Sequence, residues 1–432
     1  MHGQTDSGST GASTRRILTA SLVGTTVEYY DFYIYATAAS LVFGPLFFPT
    51  SSPSAQLMSS YATFGLAFVA RPLGAIIFGH FGDRVGRKST LVASLLIMGL
   101  STLAIAFLPT YETAGWFAPL ALCVLRVGQG IGLGGEWGGA TLLAVENAPP
   151  SHRVRFGMTP QFGAPLGFML ASGAFLIFGL ILTPAQFLAW GWRLPFLASA
   201  VLVVVGLWVR LRIHETPAFA AAMAKAPPPR VPLVEVLREY PRQTIAGACV
   251  GIVSFAVFYL ATAFALGYGT STLGIAREQF LALQLSATVF LAIGIYAAGA
   301  LSDRFDARRV SMAGCLGIAA VGFLMAPMVA GGSLVTIWLF LSAALFLMGA
   351  TFGPLGAWLS DLFPARVRYT GTSVAFNTAG ILGGAITPLV AQALAQSGGL
   401  SSVGLYLSAA AVVSFLGLLI LRDRAPSLPP AV

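Results

Sequence analysis

Gly79-His80-Phe81-Gly82-Asp83-Arg84-Val85-Gly86-Arg87-Lys88 sets four charges and three glycines between two apolar runs, near 57–80 and 90–109. A helix needs about 20 apolar residues to cross a hydrocarbon core about 30 Å thick. Both flanks meet that length, so the charged decapeptide reads as the hairpin between two membrane crossings. The same window applied outward gives runs near 18–43, 116–143, 157–182 and 193–210 before a gap. A second set follows near 243–272, 281–302, 310–329, 334–360, 369–394 and 403–421. The reading is an all-α membrane protein with 12 transmembrane helices in two six-helix bundles.

Composition excludes the soluble alternatives. Of 432 residues, 56% are apolar and 9% charged, against roughly 45–50% and 25% in a soluble domain. Mean hydropathy is +0.82, so too little polar surface exists to cover soluble domains of this size. The net charge of +9 would suit a polyanion, but the basic residues sit in short loops between apolar runs, which is a topological pattern and not a nucleic-acid face. Twenty of the 24 Lys and Arg residues fall on one side, among them Arg15, Arg16, Arg84, Arg87, Lys88, Arg153, Arg155, Arg304, Arg366 and Arg368. The opposite loops hold Arg193 and Arg277. The positive-inside rule then places both termini in the cytoplasm.

The chain divides into a tail at 1–16, a bundle at 17–210, a connector at 211–242, a bundle at 243–421 and a tail at 422–432. Six prolines in the connector, from Pro217 to Pro241, read as a stiff, partly extended strap. An internal repeat supports the two halves. Gly79, Asp83 and Arg84 recur as Gly299, Asp303 and Arg304; Glu146 and Pro149 recur as Asp361 and Pro364; Arg153, Arg155 and Gly167 recur as Arg366, Arg368 and Gly380. Duplicated six-helix halves are the architecture of a rocking transporter with its site between them.

The opening decapeptide resembles the signature loop of the major facilitator superfamily. Glu28-Tyr29-Tyr30-Asp31-Phe32, Arg71-Pro72-Leu73-Gly74, Gly134-Gly135-Glu136-Trp137-Gly138-Gly139, the segment from Trp190 to Phe196 and Arg366-Val367-Arg368-Tyr369-Thr370-Gly371 resemble more narrowly its metabolite:proton symporter family, in the shikimate-transporter-like branch. The resemblance spans nearly the whole chain. It implies proton-coupled import of a small organic acid, shikimate-like or a di- or tricarboxylate, across the inner (plasma) membrane. The alternatives are a symporter of a zwitterion such as betaine or proline and, more distantly, a membrane-embedded enzyme. It also implies a gate, on the side of the basic loops, of Gly79, Gly82, Asp83, Arg84, Gly86, Arg87, Lys88, Glu146, Asp303, Arg304 and Asp361. A solvated basic loop would account for the same residues. In the second half Phe305-Asp306-Ala307 stands where the Gly-containing turn Val85-Gly86 stands in the first, which predicts a looser latch in that half.

Charge at bilayer depth costs several kcal/mol unless paired or wet, so each such residue is a functional candidate. Glu28, Asp31, Arg71, Arg126 and Glu136 all fall inside spans of the first half. Guanidinium geometry matches a carboxylate bidentately, so Arg126 is the expected substrate fork, with Arg71 second. Glu28, Asp31 or Glu136 carries the proton. A purely structural salt-bridge lattice, or Arg71 serving carbonyls freed at Pro72, remains open. The neutral candidates for substrate contact are Tyr33, Gln129, Gln161, Tyr259, Gln284, Trp358 and Asn377. Packing is the competing reading for each. No nucleophile and base constellation, phosphate loop or paired metal ligands appear. The expectation is therefore no enzyme activity, no metal and no cofactor beyond the proton gradient. The partners are a small organic anion, H+ and the lipid bilayer, with no nucleic acid and a monomeric chain.

Overall fold

The structure, a computed structural model, describes residues 7–49, 52–85, 87–134, 136–146, 148–149, 152–211, 232–364 and 367–420. The first half crosses as Ser7–Leu41, Pro53–Val85, Arg87–Ile105, Phe117–Glu146, Arg153–Ile181 and Leu194–Leu211, spans one to six. The second half crosses as Pro241–Ser271, Arg277–Phe305, then Ala307–Phe323 with Met325–Val329, then Leu334–Asp361, spans seven to ten. Arg368–Ile420 holds the last two spans, divided at Gly399, whose φ of 68° breaks the helix. Only glycine takes that conformation cheaply.

The helices pair alike in both halves. Span one packs on five, two on four, and three on four and six; span seven packs on eleven, eight on ten, and nine on ten and twelve. Two seams join the halves, five against eight and two against eleven. Apolar side chains such as Leu100, Val124, Ile177, Val201 and Leu316 remain exposed on the perimeter, as a lipid-facing surface requires.

Helix ends depart from the apolar runs. Span one begins at Ser7 instead of near residue 18, and spans two and three run to Val85 and from Arg87, leaving one residue between them. An apolar run measures the crossing, whereas a helix continues into water wherever its polar residues tolerate it. The connector also differs from an extended strap. Pro232–Glu239 is a helix that buries Val236 against Phe363 and Val367. Residues 212–231 lie outside the described residues.

At the turn between spans eight and nine Asp306 adopts φ 72° and ψ 136°. A side chain there costs of order 1–3 kcal/mol. Asp306→Gly should therefore raise stability by about 1 kcal/mol, read as a higher thermal midpoint in detergent. An unchanged or lower midpoint would contradict the strain.

Candidate functional site

Spans two and four touch backbone to backbone. A Cβ on Gly74 would overlap the Ile131 carbonyl, one on Gly130 the Ala67 carbonyl, and one on Gly134 the Arg71 carbonyl. This close crossing brings the two buried arginines to a single ring. The Arg71 guanidinium carbon lies 4.5 Å and that of Arg126 4.6 Å from the centroid of Phe32. Arg71 also lies 4.5 Å from the Phe68 ring, and Arg126 lies 3.9 Å from that of Tyr35. Cation–π contact stabilises a desolvated guanidinium by about 2 kcal/mol.

The arginines differ in what else they hold. Arg126 donates from one terminal nitrogen to Gln129 Oε1 at 2.8 Å and from the other to the Phe64 carbonyl at 3.0 Å. Gln129 in turn donates to Thr102 at 2.7 Å. The fork of Arg126 is thus engaged inside its own half. The Nε of Arg71 and the Nε of Arg126 have no hydrogen-bond partner. Arg71 sits in the electrostatic neighbourhood of Tyr259, Tyr29, Tyr33 and Glu28, groups drawn from both halves.

Asp31 is the second buried acid of span one. It acts on Tyr30, whose hydroxyl donates to the Pro195 carbonyl of span six at 2.7 Å. Val27, one turn before Asp31, lies 3.6 Å from where a Cβ of Gly206, also in span six, would be. Glu28 and Asp31 are both buried, on neighbouring sectors of the helix. The side chain of Glu136 lies outside the description.

Aromatic rings fill the space between the halves. Tyr259 lies 5.1 Å from Phe64 and 5.5 Å from Phe68, and Phe258 stacks on Tyr33 at 4.7 Å. Toward the basic face Trp137 stacks on Phe376 at an interplanar angle of 3°. Trp137 donates to Gln161 Oε1, which donates onward from its amide to the Phe352 carbonyl, both at 3.2 Å. Asn377 donates to the Gly134 carbonyl at 3.3 Å. Gln161 and Asn377 therefore bridge the two halves just inside the cluster.

Beyond that layer lie ion pairs. Arg153 meets Asp361 at 2.8 Å, Arg155 meets Asp303 at 2.5 Å, and Arg368 stands 4.0 Å from Glu146. Each pair joins opposite halves. Arg304 is exposed beside Asp303. The side chains of Asp83, Arg84, Arg87 and Lys88 lie outside the description, as does Gly86, while Gly79 and Gly82 are placed only as backbone of span two. On the far face Ser40 and Tyr61 both donate to the Ala263 carbonyl, at 3.0 and 2.9 Å, and Arg277 stacks on Phe187 at 3.8 Å. Contacts between the halves thus flank the cluster toward both faces.

The exposed Arg153 and Asp361 pair is worth no more than about 1 kcal/mol, so the gate is a bias and not a lock. Asp361→Arg should favour opening at the basic face about fivefold, read by spin-label distances between spans five and ten. Adding Arg153→Asp should restore the wild-type distances; failure to do so would argue against this pair as a latch.

Two candidates stand apart from the arginine cluster. Gln284 spends its amide nitrogen on the Ala261 and Thr262 carbonyls, both at 2.8 Å, in the π-helical turn Leu260–Phe264. It props that turn. Trp358 is half-buried in Leu355–Asp361, three residues from the gate residue Asp361. The residues not singled out from sequence are Phe68, Phe376, Ser40 and Tyr61, while Phe32 and Trp137 stood in the quoted motifs without a role of their own. A signal existed for one set: Phe64, Phe68 and Arg71 at i, i+4 and i+7 share a helical face.

Twelve helices in matching halves, with a charged cluster buried where the halves meet, define a membrane transporter. The chain belongs to the Major Facilitator Superfamily, whose family model matches residues 21–381 and again 270–431. It is 47% identical over 417 residues to the Inner membrane metabolite transport protein YhjE of Escherichia coli (strain K12), covering 95% of this chain and 94% of that protein. It is 37% identical to the Shikimate transporter of the same organism, covering 95% and 94%. Among solved structures, the proton:xylose symporter XylE bound to 6-bromo-6-deoxy-D-glucose matches with a TM-score of 0.77 at 17% identity, covering 96% of each chain. That match speaks to the fold. The family is one of transporters and not of enzymes, and the chain is a multi-pass membrane protein.

Proposed function

We propose that this protein imports a small organic acid together with protons across the inner membrane by alternating access. Its basic face and both termini lie in the cytoplasm, and the proton gradient is its sole energy source. The observation that carries the reading is Arg71: buried between two aromatic rings, beside Glu28, with its Nε unpartnered. A guanidinium held there presents a carboxylate-binding donor at bilayer depth, where a bare charge is costly. Glu28 is the acid placed to take the proton. When it is ionised it holds Arg71; when it is protonated it leaves Arg71 to the incoming anion. The named relatives support metabolite transport, and one of them supports an acid as cargo.

Tyr259, from span seven, reaches the cluster from the opposite half, so bound cargo links the halves. Gln161, Asn377 and Trp137 close beneath it, and the ion pairs close beneath them. Opening to the cytoplasm breaks these two layers while Ser40 and Tyr61 keep the far face shut. The reading is tested in proteoliposomes with an inward pH gradient and radiolabelled shikimate, quinate, 2-oxoglutarate, citrate, betaine and proline. Accumulation of at least one acid, abolished by a protonophore, is the expected result. Accumulation of betaine or proline alone would replace it with the zwitterion reading.

A further inference from the structure

Span seven is not a regular helix through its depth. At Leu260–Phe264 it widens to a π-helical turn, in which the Ala265 N–H reaches back five residues to the Leu260 carbonyl. Such turns are rare and concentrate where proteins work. Three successive carbonyls of this one accept from side chains. Gln284 of span eight donates from its amide nitrogen to the Ala261 and Thr262 carbonyls, both at 2.8 Å. Ser40 of span one and Tyr61 of span two donate to the Ala263 carbonyl at 3.0 and 2.9 Å. A carbonyl left unmet at bilayer depth is costly, so these donors favour the π form, and they are drawn from both halves. Gln284 is buried with its Oε1 unpartnered, which leaves donation to the turn as the contact that holds its amide there. The residues just before the turn enter the cluster. Tyr259 lies 6.3 Å from the ring of Phe32, 5.1 Å from Phe64 and 5.5 Å from Phe68, in the electrostatic neighbourhood of Arg71. Just after the turn, Gly267 faces the Tyr61 hydroxyl and Leu57.

We propose that Gln284 is a positioning residue: it holds Leu260–Phe264 in its π form, and through that turn it couples the place of Tyr259 in the cluster to closure of the far face. In the π form Tyr259 reaches the rings of the first half while the Ala263 carbonyl is presented to Ser40 and Tyr61. Parting of the halves at the far face breaks the two bonds to Ala263. The carbonyls of the turn are then met by the ladder of a regular α-helix. That change shifts the ladder by one residue, which rotates the segment before the turn by about 100° relative to the segment after it. Tyr259 leaves the cluster as a result. The coupling is reciprocal: whatever holds Tyr259 in the cluster favours a closed far face, and closure favours Tyr259 in the cluster to the same extent. The proposal rests on alternating access and is independent of which cargo is carried.

The test uses the purified full chain without cargo, so that it does not depend on the organic-acid reading. Spin labels at the outer ends of spans two and seven report opening of the far face. A fluorotyrosine placed at position 259 reports, by its fluorine resonance, whether that ring stays among Phe32, Phe64 and Phe68. Gln284→Met keeps the length of the side chain and removes the donor. It should raise the ratio of open to closed far face about tenfold, with a second fluorine resonance growing by the same factor. Tyr61→Phe acts at the far face only, and should move both readings together in the same direction by about threefold. If Gln284→Met is aggregated by size exclusion, Tyr61→Phe carries the test alone. A glutamine that merely packs would leave the two readings uncoupled. Opening of the far face with the resonance at 259 unchanged would therefore overturn the proposal, as would wild-type readings in a folded Gln284→Met. A single distance in wild type and in every variant would overturn it together with alternating access. Coupled readings in a protein that fails to accumulate any organic acid would uphold it while removing that cargo.

Discussion

Glu28→Gln is expected to abolish accumulation of substrate against its gradient while leaving exchange of labelled for unlabelled substrate intact. The amide is close in shape to the protonated acid, so the variant mimics a carrier loaded permanently with its proton. It can still bind, close and reopen, but it has nothing to release on the cytoplasmic side. A two-unit pH gradient is worth about 2.7 kcal/mol per proton, about a hundredfold in concentration, and the whole of that ratio should collapse toward one. Exchange should also lose its dependence on pH. Asp31→Asn is the matched control, because Asp31 is as deeply buried as Glu28 but acts on Tyr30, whose hydroxyl is anchored on span six. Full accumulation in Glu28→Gln together with its loss in Asp31→Asn would transfer the proton to Asp31. Loss of exchange as well as accumulation in Glu28→Gln would mean that the carboxylate is needed to hold Arg71 and not merely to carry a proton.

The twelve crossings were legible because hydropathy reports exactly what a bilayer selects, whereas helix ends were not, since Ser7 through Arg16 and Asp83 through Val85 are helical without being apolar. The connector helix was hidden for a related reason. Pro232–Glu239 is eight residues long, and its one buried face rests on Phe363 and Val367 from far along the chain. The π-helical turns at Leu260–Phe264 and Ile381–Ala385 leave no trace in a run that is apolar on every side. Within the site, the residue types were legible and their commitments were not. Glu28 and Asp31 stood in the sequence as equivalent acids three apart, yet about 60° of helix rotation separates them, and Arg71 counts Glu28 and not Asp31 among its electrostatic neighbours. Arg126 was the natural choice of fork from its span alone. Its engagement depends on the Phe64 carbonyl of a different helix, which no spacing within span four reveals. Depth and charge can be read from sequence, while which donor is already spent is a property of neighbours brought together by folding.

Gly134→Ala is expected to destabilise the protein severely and to eliminate transport, although it adds a single methyl group. The methyl would overlap the carbonyl and backbone of Arg71, and it has no flexible neighbour to displace. Spans two and four must then separate. Overpacking a tight core costs about 1–3 kcal/mol and occasionally more, and rigid backbone on both sides places this site at the upper end. The functional loss follows from the same movement, because the crossing at Gly74, Gly130 and Gly134 is what brings Arg71 and Arg126 to the ring of Phe32. Asn377 also donates to the Gly134 carbonyl, so the displacement reaches the seam with the second half. Gly173→Ala supplies the control: a Cβ there meets nothing within 4 Å, and alanine favours a helix over glycine by about 1 kcal/mol. The control should therefore be as stable as wild type or slightly more so, with normal uptake. Equal thermal midpoints and equal uptake for the two variants would show that spans two and four have room to part, and the close crossing would lose its claim to position the arginines.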